Sequence, residues 1–348
     1  MEQKTNKRRV NRYWFILVLI LSGVAASFFP PVRPWIQLAA EPLVKITDNF
    51  YITNTMVASW IAYVIVLLIA WSIRKQLKAG KTVLDGVGGF FAFILEALYG
   101  VTEGTAGKHV RKIFPWFAAI FMIVLVVNWM ELIPGVDSIG QYRPDKLHYE
   151  SSEAHGEEGD HAKDEGHVAC DYREVGPFAF LVRGDADADC AHAIYPFVRV
   201  ASTDLNFTLA IALISVVMTQ VIGVQTLGKE YFVKFWNTGA FKKALSKKGF
   251  GNPLDFIMGL IDIVVGILEI VAEISKIISF AFRLFGNIFA GAIILFVIGS
   301  LVPVFAQSPF YLLELFVGLI QAFVFGMLTM VFMSLATVSH AHGDEDHH

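Results

Sequence analysis

Residues 255–301 read DFIMGLIDIVVGILEIVAEISKIISFAFRLFGNIFAGAIILFVIGSL, an apolar stretch broken by Asp262, Glu269, Glu273, Lys276 and Arg283. A run this long and this apolar exceeds the roughly 20 residues that carry a helix across a hydrocarbon core. An unpaired cation near the bilayer centre costs from about 2.5 to more than 10 kcal/mol, so Arg283 must face protein, water or a counter-charge. Asp262, Glu269, Lys276 and Arg283 recur every seven residues, and Glu273, Ser279 and Asn287 lie three or four residues from members of that series. Such spacing puts them on one face of one long helix.

The stripe contains two cations, and no other lysine or arginine follows Gly251. Lys276 has Glu273 at i−3 and Glu269 at i−7, so a satisfied Glu273–Lys276 pair near one membrane face accounts for it. Arg283 has only the neutral Ser279 and Asn287 one turn away, so its counter-charge must come from elsewhere. Intramembrane arginine without a local partner is a functional residue by default. The last apolar run carries Glu314 and Gln321, again seven apart, with Gly318 between them. Folded back through a turn near Ser300 to Gln307, it runs antiparallel to the first stripe and brings Gln321 to Arg283.

Other runs of membrane length are Trp14 to Pro30, Met56 to Ser72, Phe114 to Pro134 and Leu205 to Leu227, which join Phe256 to Phe305 and Phe310 to Val338. With 55% apolar and 17% charged residues, the chain has too little polar surface for a soluble globule. The fold expected is all-α and polytopic, with about six crossings including a long helical hairpin. Alternation at period two is absent from the runs, which argues against a transmembrane barrel.

Basic residues set the orientation. Arg8, Arg9 and Arg12 precede the first run, Arg74 to Lys112 holds seven lysines and arginines, and Lys229 to Lys248 holds six. All three clusters fall on one side, the cytoplasm, if each run crosses once, and both termini are then cytoplasmic. Residues 1–27 also have the basic start, apolar stretch and small residues of a signal peptide, but the length of the stretch, extended by Phe28 and Phe29, favours retention.

The segments expected are therefore these: 1–54, a basic start, an extra helix and an outside segment; 55–134, transmembrane helices with a cytoplasmic connection; 135–202, an acidic, His-rich extracytoplasmic insertion; 203–252, a helix and a basic cytoplasmic loop; 253–338, the ion-translocating hairpin; and 339–348, a His-rich cytoplasmic tail. The insertion holds both cysteines, Cys170 and Cys190, in a compartment that permits a disulfide, and two free thiols fit the spacing equally. Its His155, His161 and His167 are six residues apart, which matches neither a helix face nor a finger spacing. No metal site is assigned there.

The segment Ser279-Phe-Ala-Phe-Arg-Leu-Phe-Gly-Asn-Ile-Phe-Ala-Gly291, with Leu319-Ile-Gln-Ala-Phe-Val-Phe325, resembles subunit a of the F-type ATP synthase. Asn128-Trp-Met-Glu-Leu-Ile-Pro134 and Thr203-Asp-Leu-Asn-Phe-Thr208 resemble that family's upstream motifs. The resemblance covers most of Val83 to Leu335 outside the insertion. It implies a non-catalytic subunit in which two offset proton half-channels meet a rotating ring of c subunits, each with a carboxylate in mid-membrane. Arg283 matches the family's essential arginine, Gln321 and Asn287 the residues beside it, and Ser279 opens the matched segment. Asn128 and Glu131 match the outer entry path, and Glu314 stands where an ionisable group feeds the ring. Ala292 departs from the pattern, since many members carry Glu or His there.

The partners implied are the c ring, the peripheral-stalk b subunits, the rest of the synthase and membrane lipid, in a bacterial plasma membrane, with no cofactor and no nucleic acid. No Gly-rich phosphate loop is present, so nucleotide chemistry belongs to partners. A secondary transporter would show an internal repeat, and the stripe has no counterpart in the first half of the chain. A purely structural anchor would leave Arg283 unexplained.

Overall fold

The computed structural model describes residue 40, residues 42–47, 50–133 apart from 82, 194–228, 253–301 and 307–338, with short pieces at 136, 139–142, 172–175, 178–181, 231–232 and 235. The first apolar run, the histidines of the insertion, Cys170, Cys190 and the His-rich tail lie outside the described residues.

Every element of membrane length is helical. In chain order these are α1 (Asn54–Lys78), α2 (Gly86–Ala106), α3 (Val110–Met130), α4 (Leu205–Leu227), α5 (Pro253–Leu301) and α6 (Gln307–Leu335). Among the described residues, four helical stretches are long and apolar enough to cross a membrane: α1, the continuous Gly86–Met130 stretch, α4 and α6. Short strands accompany them: β1 (Pro42–Thr47), β2 (Phe50–Thr53), β3 (Gly140–Tyr142), β4 (Tyr172–Val175), β5 (Phe178–Leu181) and β6 (Ile194–Pro196). β1 and β2 form an antiparallel hairpin, and the others form a sheet in the order β4-β5-β3-β6. The expectation of an all-α chain thus describes the membrane-length elements, while small strands occupy the segments between them.

Local chemistry explains the helix boundaries. The Asp204 side chain accepts from the Asn206 amide at 2.9 Å and caps the start of α4. Pro253 opens α5, where its missing N–H is not needed. A turn of 3-10 helix, Gly107–His109, separates α2 from α3, and Gly107 adopts φ +50°, which a side chain disfavours. The stretch expected to be a cytoplasmic connection therefore contains a 21-residue helix. Glycines and Glu96 dilute its apolar character, which is why length and hydropathy did not reveal it.

Two compact units share the described residues. One takes the chain up to Val57, then Met130–Val200 and Ile288–Val317; the other takes Ala58–Trp129, Ala201–Asn287 and Gly318 onward. In the second unit, helices approach closely through small residues, as expected where lipid supplies no hydrophobic drive between helices. A Cβ on Gly326 of α6 would lie 2.7 Å from the Phe117 ring of α3, and one on Gly318 would lie 3.2 Å from Asn128 Cβ. Phe117, Phe121, Leu125, Leu284, Phe325 and Met330 are fully buried around these contacts. Phe280 of α5 packs at 5.1 Å on Phe325 and 5.8 Å on Phe332, and the contacts Asn287–Gln321 and Lys276–Phe332 on either side of it run in opposite order along the two helices, so α5 and α6 are antiparallel there. Ser215 of α4 and Thr329 of α6 share a buried hydrogen bond of 2.7 Å.

Candidate functional site

α5 positions most of the predicted residues. Arg283 is half-exposed and makes no hydrogen bond or ion pair with any described residue. Around it the helix presents Ser279, Gly286 and Asn287 as exposed residues, with Ile278 and Phe282 at 51% and 53% exposure. One turn beyond the arginine, Asn287 Nδ2 donates to Gln321 Oε1 at 2.8 Å. The expectation that Gln321 would hold the guanidinium is therefore modified. Gln321 lies across from the arginine's helix as predicted, but its carbonyl is engaged by Asn287. Its Nε2 is buried and has no hydrogen-bond partner among the described residues. A polar atom so placed is under-satisfied by about 1–3 kcal/mol unless water or a ligand reaches it.

Further toward the start of α5, Lys276 Nζ donates to Glu273 Oε1 at 2.8 Å and sits 4.6 Å above the Phe332 ring. The predicted pair is present. Asp262, Glu269, Lys276 and Arg283 are all half-exposed, whereas Glu273 is 9% exposed.

Asn128, at 2% exposure, uses both ends of its amide. Nδ2 donates to the Gly318 carbonyl of α6 at 3.2 Å, and Oδ1 accepts from Ser202 Oγ at 2.7 Å. Ser202 belongs to a 3-10 turn, Ala201–Thr203, just before α4. Sequence reading missed Ser202 and Gly318 as partners; the small residues beside the Thr203–Thr208 motif and between Glu314 and Gln321 were the available signal.

In the other unit, the Glu314 carboxylate rests directly on Gly291, where a Cβ would overlap its oxygens. Glu314 is buried, and its Oε1 has no hydrogen-bond partner among the described residues. Glu131 lies in the turn that follows α3, with both carboxylate oxygens buried. Ala292 is half-exposed next to Gly291. Among the described residues no three histidines, cysteines or carboxylates gather as a metal site.

The ATP synthase A chain family model matches residues 56–334, well over half of the chain. The chain belongs to the ATP synthase A chain family. The match reaches further toward the N-terminus than the motifs did and takes in α1. ATP synthase subunit a of Mycobacterium ulcerans is 26% identical over 300 residues, covering 85% of this chain and 90% of that protein. The subunit a of Mycobacterium tuberculosis is 25% identical over the same length. That of Aliivibrio fischeri is 35% identical over 157 residues, covering 44% of this chain and 51% of that protein. Family membership makes this a polytopic membrane protein and a non-catalytic, proton-channel subunit of ATP synthase.

Proposed function

We propose that this subunit forms two offset proton half-channels against a rotating ring of carboxylate-bearing c subunits, and that Arg283 couples ring rotation to proton flow. The observation that carries the reading is the contrast between the two cations of α5. Lys276 has a carboxylate 2.8 Å away on its own helix, whereas Arg283 has no partner among the described residues and stands beside exposed apolar side chains. A guanidinium in that setting needs an anion supplied in trans. A ring carboxylic acid arriving beside it would have its pKa lowered, lose its proton and pair with Arg283. The fixed positive charge also bars a proton from hopping directly between the half-channels.

In this reading Asn287 and Gln321, hydrogen-bonded to each other, form the polar wall next to the arginine, and Ser279 continues the path one turn earlier. Glu314 and Glu131 are the titratable groups of the outer half-channel. Asn128, which the family resemblance assigns to the entry path, has its amide committed to Gly318 and Ser202.

The topology follows from charge. Lys75, Lys78 and Lys81 precede α2, and Lys108, Arg111 and Lys112 follow it, so both ends of α2 belong on the cytoplasmic side and α2 lies along that surface. α3 alone then crosses in the Gly86–Met130 stretch. With the N-terminal run, α1, α4, α5 and α6, that makes six crossings with both termini in the cytoplasm of a bacterium. α5, at about 1.5 Å per residue, is about 74 Å long against a core of about 30 Å, so it must tilt steeply or project beyond the core. The partners of this reading are the c ring, the peripheral-stalk b subunits, the rest of the synthase and lipid.

The test is Arg283→Ala in the whole complex, with assembly verified first. ATP-driven proton pumping into inverted vesicles is lost, and passive proton conduction after removal of the soluble sector is retained or raised. Normal pumping by assembled Arg283→Ala would make the arginine structural and end this reading.

A further inference from the structure

Glu273 is the most buried of the described charged residues on α5, and α6 and the turn after α4 both contribute to its surroundings. Its Oε1 accepts from Lys276 at 2.8 Å. The Lys276 ammonium is in turn seated 4.6 Å above the Phe332 ring of α6. Tyr231, in the short turn after α4, lies close enough to feel the Glu273 charge. Its ring fills the hollow over Gly223, where a Cβ would overlap it, and its hydroxyl lies 2.5 Å from Gln220 Oε1. Burial, then the carboxylates of Glu273 and Glu269, hold the Tyr231 phenol up to about 12. The phenol therefore stays neutral and does not compete for a proton at physiological pH. Among the described residues, the charged and titratable groups seen near Glu273 are Lys276 on its own helix, Glu269 one turn earlier and Tyr231 from the turn after α4, and α6 contributes the Phe332 face over Lys276.

Glu273 precedes Arg283 by ten residues, about 15 Å along the helix axis, with Lys276 and the exposed Ser279 between them. The polar series 269, 273, 276, 279, 283 is the one continuous hydrophilic track along this part of α5, and basic residues place its start on the cytoplasmic side.

We propose that Glu273 is the proton-exchanging group of the inner half-channel, held in place by Lys276. The assignment rests on the half-channel reading above. A proton released by the ring carboxylic acid beside Arg283 passes over water along Ser279 to a Glu273 carboxylate oxygen. One O–H bond breaks on the ring acid and one forms on Glu273. Lys276 keeps its place over the Phe332 face while its partner is neutral. The proton then leaves past Glu269 to the cytoplasm, and ATP-driven pumping runs the same steps in reverse. Carboxylates serve such transfers when they are partly desolvated yet held by a nearby cation.

An ion pair with no further role is replaceable by two neutral side chains, and this separates the alternatives. In whole complexes in inverted vesicles, stripped of the soluble sector, passive proton conduction is measured for Glu273→Gln, Glu273→Gln with Lys276→Met, and Glu273→Asp. Conduction per assembled complex falls about tenfold or more in the first two, and Glu273→Asp conducts better than either. Wild-type conduction in the double variant overturns the proposal, even where Glu273→Gln alone is impaired or fails to assemble. Equal loss in Glu273→Asp and Glu273→Gln overturns it as well. Arg283→Ala in unstripped inverted vesicles keeps the two readings apart: normal ATP-driven pumping there sinks the half-channel scheme itself, whereas lost pumping with a conducting double variant removes only Glu273.

Discussion

Two glycines of the hairpin give opposite expectations for the same small change. A Cβ at Gly291 would stand 2.6 Å from Glu314 Cδ, against 3.4–4 Å for ordinary contact, so the carboxylate must retreat by about 0.8–1.4 Å. The obstacle is the end of a flexible side chain, and a side chain turned about 30° off its rotamer costs about 0.5–1.5 kcal/mol. Gly291→Ala therefore assembles. At Gly326 the Cβ meets Phe117 at 2.7 and 2.9 Å and Phe121 Cβ at 3.4 Å, and both phenylalanines are fully buried. They have nowhere to go unless α3 and α6 part, which costs about 1–3 kcal/mol. Gly326→Ala thus lowers the heat stability of the complex and the amount assembled, while complexes that form conduct normally. Gly291→Ala leaves both of those unchanged and lowers conduction per complex by about tenfold to a hundredfold, because a proton-passing group displaced by about 1 Å is out of register. The assay is passive proton conduction in stripped vesicles, normalised to complex quantified by immunoblot, with a thermal midpoint in detergent for each variant. Wild-type conduction in Gly291→Ala would refute the role given to Glu314, and an unaltered midpoint in Gly326→Ala would refute the packing argument.

Asn128→Ala strands the buried Ser202 hydroxyl and frees the Gly318 carbonyl, so it costs about 1–3 kcal/mol in complex stability, while conduction per assembled complex stays within about twofold; a loss of conduction at full assembly would make Asn128 part of the proton path itself. A double-mutant cycle on Ser215→Ala and Thr329→Ala, read from thermal midpoints, gives a coupling of about 0.6 kcal/mol, the usual worth of a hydrogen bond between membrane helices. Tyr231 binds its proton more tightly folded than unfolded, so its contribution to stability is intact below pH 10 and is lost as the pH rises toward about 12. Tyrosinate absorbance of the chain minus that of Tyr231→Phe is therefore close to nil at pH 10, slight at pH 11 and large near pH 12; a large difference already present at pH 10 would show the phenol to be exposed.

The sequence revealed the helices whose apolar length is unbroken. Asn54–Lys78, Leu205–Leu227 and Gln307–Leu335 contain or nearly coincide with the runs read from hydropathy, because crossing a core about 30 Å thick imposes a length. Gly86–Ala106 escaped because Glu96, Glu103 and several glycines interrupt its apolar run, and its four first-turn residues include three glycines. The strands escaped because three to six residues give too little alternation to read. At the site, spacing placed Arg283, Asn287, Glu314 and Gln321 on the right helices, and the Glu273–Lys276 pair followed from i, i+3 geometry. Which polar atoms meet between helices did not follow. Gln321 joins Asn287 instead of the guanidinium, and Asn128 joins a backbone carbonyl that no side-chain pattern encodes. The seven-residue series also hid the burial of Glu273, since a residue ten positions from Arg283 is turned about 80° away from it, toward the packed side of the helix.

The way α5 treats its two cations argues for a partner that comes and goes. Evolution of a stable helix in lipid would pair every charge locally, as it pairs Lys276 with Glu273 one turn away. Around Arg283 the same helix supplies Ser279, Gly286 and Asn287, which are neutral, and Ile278 and Phe282, which are apolar and more than half exposed. The Gln321 carbonyl, the acceptor expected to hold the guanidinium, is already engaged by Asn287. A permanent anion at any of these positions would satisfy the guanidinium and hold it, and a ring carboxylate could then neither dock nor leave. In the proposed scheme, leaving the charge without an anion in its own helix keeps the affinity for an incoming carboxylate high. The unpaired charge is thus what a ring carboxylate binds in that scheme, while the proton gradient supplies the free energy that turns the ring.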